Sequence, residues 1–396
     1  MSSSPARPAS SDIFCRVIDN YGDIGVCWRL ARQLVNEHRL RVRLWVDKLE
    51  AFARICPQID CQLHVQTVDG VEVRHWPADF SGGSGQLVPA DLVIETFACH
   101  LPDAFVAAMA ARPTPPVWIN LDYLSAEDWV AGCHALPSPH PYLPLVKTFF
   151  FPGFNAATGG LLRERALLRE RDEFLASPAL QSRFLQDLGL TPPAAGALVV
   201  SLFAYANPAL DNLLASWVQG PQAVCCLVPE ASALADVEAF VGHSLRSGDQ
   251  VRRGGLEIRV LPFVTQPNYD RLLWSCDVNF VRGEDSFVRA QWAAKPLVWH
   301  IYPQDGKTHL TKLGAFLDRY CGGRGQGLAE PAAATLRAVF MAWNDGQSGQ
   351  ALTPPLWLAF MQALPEMRRH ASGWAGTLAR QEDLCSNLLR FCRSKL

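Results

Sequence analysis

Two carboxylates, Asp19 and Asp23, lie four residues apart around Asn20-Tyr21-Gly22, where a short apolar stretch (13–18) meets a glycine-broken turn (20–25). Helical sequence follows from Cys27 to Leu34, which makes the run a strand, a turn and a helix. Open α/β sheets hold ligands at the carboxyl ends of their strands, so this turn is a place for chemistry. It lacks the G-x-G-x-x-G run of a dinucleotide site, and its acids would repel a pyrophosphate. A carboxylate pair suits a general base or a bidentate clamp on a cationic acceptor. Helix capping by an Asp is the competing reading.

A second constellation is Arg282-Gly283-Glu284-Asp285-Ser286, again between an apolar strand and a helix. Gly283 permits a tight turn, and the amides opening the helix suit a phosphate or diphosphate. Glu284 suits sugar hydroxyls or the ordering of the turn; a capping box or an ordinary loop is the alternative. A third group, Phe203, Tyr205, Asn207, Phe263, Gln266 and Tyr302, falls just past strands of the second half. Together these residues could line a planar base, with an amide to read its edge. Each alone could equally be packing.

The elements that must position these groups alternate strand and helix. Segments 13–18, 41–46, 91–97 and 117–124 read as strands of a first half, and 63–67 and 71–75 as weaker ones. Segments 197–203, 223–228, 256–261, 276–281 and 296–303 repeat the theme. This pattern predicts parallel sheets with crossover helices. It divides the chain into a tail (1–12), a first α/β domain (13–165), an interdomain segment (166–194), a second α/β domain (195–355) and terminal helices (356–396) that could return to the first domain. Gly82-Gly83-Ser84-Gly85 reads as a flexible loop.

Composition narrows the class. The 396 residues are long enough for two domains, and a formal charge of −2 excludes a general field for nucleic acid. No direct nucleic-acid partner is therefore expected. Twelve cysteines without a C-x-x-C pair read as free thiols of a reducing compartment. The tail has no apolar core of a signal peptide, and no apolar run reaches the length of a membrane span, so a cytoplasmic protein without a membrane partner is expected. The chain contains no Asp-x-Asp, which favours amides and side chains over a metal at a diphosphate.

Two Rossmann-like halves with a phosphate-friendly helix start in the second resemble the GT-B architecture, an α/β fold in which two such domains face each other across a cleft. A sharper likeness lies in the motifs. Asp19 to Gly25 running into Trp28-Arg29-Leu30-Ala31-Arg32, together with Arg282 to Ser286, resembles the bacterial protein-arginine rhamnosyltransferases of elongation factor P. The likeness spans the chain beyond its tail.

The resemblance implies an inverting, metal-independent enzyme without a cofactor. It would move rhamnose from dTDP-β-L-rhamnose to one arginine of translation elongation factor P, a factor that helps ribosomes stalled at polyproline. It assigns Asp23 as general base, Asp19 as its supporting carboxylate and Glu284 as an essential acid beside the donor. Asp285 and Ser286 become neighbours of the diphosphate, with Arg282 and Gly283 in the same turn. Phe203, Phe263, Gln266 and Tyr302 become donor-pocket residues, the base lying near Phe263, and Tyr205 and Asn207 join them as donor-binding candidates. The alternatives are a GT-B transferase of another nucleotide sugar or acceptor, and a non-catalytic nucleotide- or protein-binding module.

Overall fold

The structure, a computed structural model, describes residues 8–80, 87–322, 327–345 and 352–395. The glycine-rich run 82–85 and most of the tail lie outside the described residues. Contacts divide the chain into one unit of residues 1–165 with 380–396, and a second of residues 166–379.

The first unit runs β1 (Ser10–Cys15), α1 (Gly22–Asn36), β2 (Arg41–Val46), α2 (Leu49–Ile55), β3 (Val65–Val68), β4 (Val71–His75), β5 (Leu92–Thr96), α3 (Asp103–Ala110), β6 (Val117–Leu121), α4 (Trp129–Cys133), β7 (Pro137–Pro139) and β8 (Val146–Phe150). Its sheet order is β3-β4-β2-β1-β5-β6-β8-β7, with antiparallel pairing only at the two edges. In chain order the parallel strands stand 3-2-1-4-5-6, so the winding reverses between β1 and β5. Below the sheet, Phe14 stacks on Trp45 at 5.5 Å and meets Phe105 edge-on at 4.6 Å, in a core with Trp76, Met109 and Trp118.

β1 begins at Ser10, inside the stretch expected to be tail, because Asp12 is fully buried and fully bonded. Its two oxygens accept Nε and Nη2 of Arg43, each at 2.6 Å, the Trp45 indole N–H at 3.0 Å and the Ala90 N–H at 2.8 Å. A charge can be buried when its lone pairs are met in this way.

The second unit opens with α5 (Leu167–Ala176) and α6 (Pro178–Asp187) and continues β9 (Leu198–Leu202), α7 (Leu210–Gln219), β10 (Val224–Pro229), α8 (Ala233–Val241), β11 (Gln250–Arg253), β12 (Leu256–Leu261), α9 (Gln266–Ser275), β13 (Val278–Arg282), α10 (Asp285–Ala293), β14 (Leu297–His300), α11 (Thr308–Gly322), α12 (Glu330–Asn344) and α13 (Pro354–Ala379). The break at 177 has a local cause: Ser177 caps α6 by accepting the Leu180 N–H, and Pro178 supplies the first turn. The segment 166–194, expected between domains, folds as part of this unit, with Phe174 of α5 packed on Trp274 of α9. Sheet order is β11-β12-β10-β9-β13-β14, with β11 antiparallel at the edge. The parallel strands stand 3-2-1-4-5, and the reversal falls between β9 and β13.

The terminal segment 356–396 does not act as one piece. α13 belongs to the second unit, whereas α14 (Leu384–Arg393) belongs to the first and packs beside α1.

Candidate active site

Both acidic motifs sit where a sheet reverses its winding, the position that open α/β sheets use for ligands. In the first unit the chain leaves β1 at Cys15 and enters α1 at Gly22, earlier than the sequence suggested, so that Gly22, Asp23 and Gly25 are helical. Asn20 takes a φ of +35°, a left-handed value that Asn tolerates better than most residues. The Gly22 N–H donates to Asp19 O at 2.6 Å, and a Cβ on Gly22 would stand 2.5 Å from Asp19 Oδ2. A side chain at 22 would thus displace the Asp19 carboxylate above it.

Asp23 is 2 % exposed, in the first turn of α1. It does not cap the helix. Its Oδ2 turns back to accept the N–H groups of Ile18 and Asp19, both at 2.8 Å, and so shapes the turn. The Tyr123 hydroxyl is a third donor to the same carboxyl. Burial holds the Asp23 pKa above the ordinary carboxylate range, the Asp19 charge adds to the rise, and the three hydrogen bonds oppose it. An ionised carboxylate has about four lone-pair directions, so three donors leave room for one more. Asp19, half-buried, completes the acidic pair.

Sequence reasoning missed the companions on the next two strands. After β5, Phe97, Ala98 and His100 have φ of +53°, +51° and +55°. This costly backbone is held by the buried Glu95, which accepts the His100 N–H at 3.1 Å, the Trp118 indole at 3.2 Å and Lys147 Nζ at 3.3 Å. Phe97 stacks on Tyr123, ring centres 4.3 Å apart. Asp122, between β6 and Tyr123, accepts the Tyr123 N–H at 2.8 Å on one oxygen and Asn120 Nδ2 at 3.2 Å on the other. The polar ends of the segments 91–97 and 117–124 were the available signal.

In the second unit, Phe203 and Tyr205 leave β9 while Arg282 to Ser286 leave β13, on the two sides of the reversal. The buried Arg282 guanidinium lies 4.7 Å from the Phe203 ring centre and 4.6 Å from that of Tyr205. This places a desolvated positive charge between two aromatic faces. Tyr205 meets Tyr302 edge-on at 5.5 Å and His300 at 5.2 Å. Burial, then the charges of Arg282 and His309, push the His300 pKa down to about 3, so His300 is neutral there. Gly283 has a φ of +58° and its carbonyl accepts the Trp299 indole N–H at 2.8 Å. Glu284 sits at the N-cap of α10, yet its side chain makes no capping bond. Gln266 Nε2 donates to Asp285 Oδ2 at 3.0 Å, tying the start of α9 to that of α10. Phe263, half-buried, lies on the same β12–α9 connection.

Two of the expected donor residues serve the fold through their side chains. The Asn207 amide donates to Trp343 O at 2.9 Å and accepts the Ala209 N–H at 2.9 Å, which makes it a brace for α12 and α7. The Ser286 hydroxyl donates to Arg282 O and accepts the Arg282 N–H at 3.1 Å, so it closes the turn. Its place at the start of α10 leaves Ser286 a backbone role there. Among the described residues, no group of three or more His, Cys, Asp or Glu side chains could hold a metal ion, and no helix is long and apolar enough to cross a membrane.

Known proteins resemble this chain in sequence and fold. Residues 11–393 match the family model described as Elongation-Factor P (EF-P) rhamnosyltransferase EarP. A protein-arginine rhamnosyltransferase of Pseudomonas putida is 53 % identical over 98 % of this chain and 100 % of its own, and one of Pseudomonas aeruginosa is 51 % identical over 97 % and 98 %. A solved structure concerning EarP-mediated arginine glycosylation of translation elongation factor EF-P matches with a TM-score of 0.68 and 38 % identity, over 98 % of this chain and 100 % of that one. The two doubly wound units are those of a GT-B glycosyltransferase, and the chain belongs to the EF-P rhamnosyltransferase family.

Proposed function

We propose that the protein transfers rhamnose from dTDP-β-L-rhamnose to one arginine of translation elongation factor P, with inversion, and that Asp23 takes the proton. The observation that carries this reading is the setting of Asp23: a buried carboxylate at the β1/β5 reversal, fixed by two backbone N–H groups, with Asp19 beside it. A guanidinium is a poor nucleophile, with a pKa above about 12. Full deprotonation before attack is therefore out of reach for a carboxylate. Asp19 and Asp23 instead hold the cation and aim one nitrogen.

As that nitrogen forms its bond to the anomeric carbon, the bond from this carbon to the phosphate oxygen breaks. Its electron pair leaves on dTDP, and the nitrogen's proton passes to Asp23. The raised pKa of Asp23 makes it a stronger base than a solvated Asp. Attack opposite the leaving group converts a β-linked donor into an α-rhamnosyl arginine. On the donor side, Arg282 and the first amides of α10 answer the charge developing on the diphosphate. Phe203, Tyr205, Phe263 and Tyr302 offer faces to the base, and Glu284 offers a carboxylate to sugar hydroxyls.

The test is the intact mass of elongation factor P after incubation with the enzyme and dTDP-rhamnose. One added deoxyhexosyl group, α-linked by NMR, is expected; an unchanged mass sinks the reading in favour of another donor or acceptor. Asp23→Asn should lower turnover by about a hundredfold or more while the protein still binds dTDP-rhamnose. Full turnover by that variant would remove the base assignment, and its retained donor binding separates an enzyme from a binding module.

A further inference from the structure

The carboxyl end of β6 supplies a residue to the Asp23 site that no motif marks. Tyr123 is 36 % exposed, yet its ring and its backbone are both fixed. One ring face lies on Phe97, inclined by 17°, and its N–H is held by Asp122. Phe97 itself is held in a left-handed conformation, inside a connection anchored by Glu95. Strained backbone of this kind persists only where surrounding contacts impose it, and here the contacts set one aromatic ring against another. The remaining freedom of Tyr123 is its hydroxyl, which points at Asp23.

We propose that Tyr123 is a positioning residue for Asp23: clamped on Phe97, it helps to hold the base carboxylate in its working orientation. The proposal rests on the reading of Asp23 as the base. Two backbone N–H groups fix Oδ2 from the turn, and the segment after β6 adds a third donor to the carboxyl. A donor to the ionised carboxylate also favours its charged form, against the burial that disfavours it. Asp19 on the turn and the buried Cys15 of β1 are titratable groups that also act on Asp23. Nearby, Asp47 and Lys48 anchor the two sides of the Val17 peptide, through its N–H at 2.8 Å and its carbonyl at 2.8 Å.

Tyr123→Phe keeps the ring on Phe97 and deletes only the hydroxyl. The carboxyl carbon of Asp23 is followed by NMR in ¹³C-aspartate protein without substrates, its signal identified by its loss in Asp23→Asn. In Y123F the titration midpoint of that signal should move to higher pH. The acid limb of kcat/KM should move the same way, with about a five- to tenfold loss along that limb that recovers as the pH rises and no change in donor KM. Tyr123→Ala, which also removes the ring, should lose more and not recover. Superimposed titrations for wild type and Y123F would overturn the proposal. A midpoint that moves while the pH–rate profile stays put would uphold the contact and reject Asp23 as the base, so the two failures are distinguishable.

Discussion

Asp23 must be ionised to accept a proton, but burial opposes that state, and the opposition has a consequence for stability. Its pKa in the folded protein lies above the unfolded value of about 4, so its ionisation weakens folding. The stability tied to its protonated form is complete below the unfolded pKa and is lost as the pH rises through the folded one. Asp23→Asn keeps an oxygen for the Ile18 and Asp19 N–H groups and removes this penalty. D23N should therefore unfold at a higher temperature than the wild type at neutral pH, by a margin that closes as the pH falls below about 4. Calorimetry at pH 7.5 and at pH 3.5, set on either side of that value of about 4, would show it; an unstable D23N at the higher pH would refute the penalty. Asp19 acts on the same equilibrium with the opposite sign from Tyr123, because its charge raises the Asp23 pKa. Asp19→Asn should shift the acid limb of kcat/KM to lower pH, where Y123F shifts it to higher pH.

At the scale of elements, the strand ends rather than the strands decide the site, and this sets what the sequence could reveal. Alternating apolar strands and helices made both doubly wound sheets legible, and the acids at 19 and 23 were visible as a local pair. Tyr123 was not, because its approach to Asp23 depends on β6 standing two places from β1, a non-local fact. Asn207 and Ser286 show a related ambiguity: a polar residue after a strand serves a ligand, the fold or both, and only the structure reveals the side-chain partners, Trp343 and Arg282, that both have within the fold. The helix start was also misplaced, since glycines at 22 and 25 read as turn while tertiary contacts carry them into α1. Gly22 is there for space. In Gly22→Ala the new Cβ would meet Asp19 Oδ2 at 2.5 Å, and the carboxylate can swing aside where backbone could not. Alanine is also the better helix former. The variant should keep its melting temperature within a few degrees and lose about tenfold in kcat/KM. Wild-type turnover in a folded Gly22→Ala protein would show that the position of Asp19 does not matter.

At the scale of the whole molecule, the first unit is not complete until the chain has finished the second. Its α1 carries the base, and α1 packs against α14; the Gln33–Asp383 contact between these segments spans 350 positions of chain. The seam is specific. Gln33 Nε2 donates to Asp383 Oδ1 at 3.0 Å, the Leu384 N–H to Leu161 O at 3.0 Å, and Asn387 Nδ2 to Gly159 O at 2.9 Å. Asp383 also caps α14 by accepting the Ser386 N–H at 3.1 Å. A Cβ on Gly160 would stand 2.6 Å from Glu382 O, so the two segments touch backbone to backbone. The apolar side of α14, Leu384, Leu388, Leu389 and Cys392, is buried within 1 % of completeness. Leu388→Ala should cost about 2–5 kcal/mol. That cost should fall on one unit: hydrogen exchange should accelerate in α1, β8 and residues 151–165, while the strands of the second sheet keep their protection. Donor binding should survive and rhamnosyl transfer should weaken, because α1 holds Asp23 and the second unit holds the expected donor residues. Equal acceleration in both sheets would mean that the two units unfold as one, and that α14 supports the entire chain rather than the acidic turn.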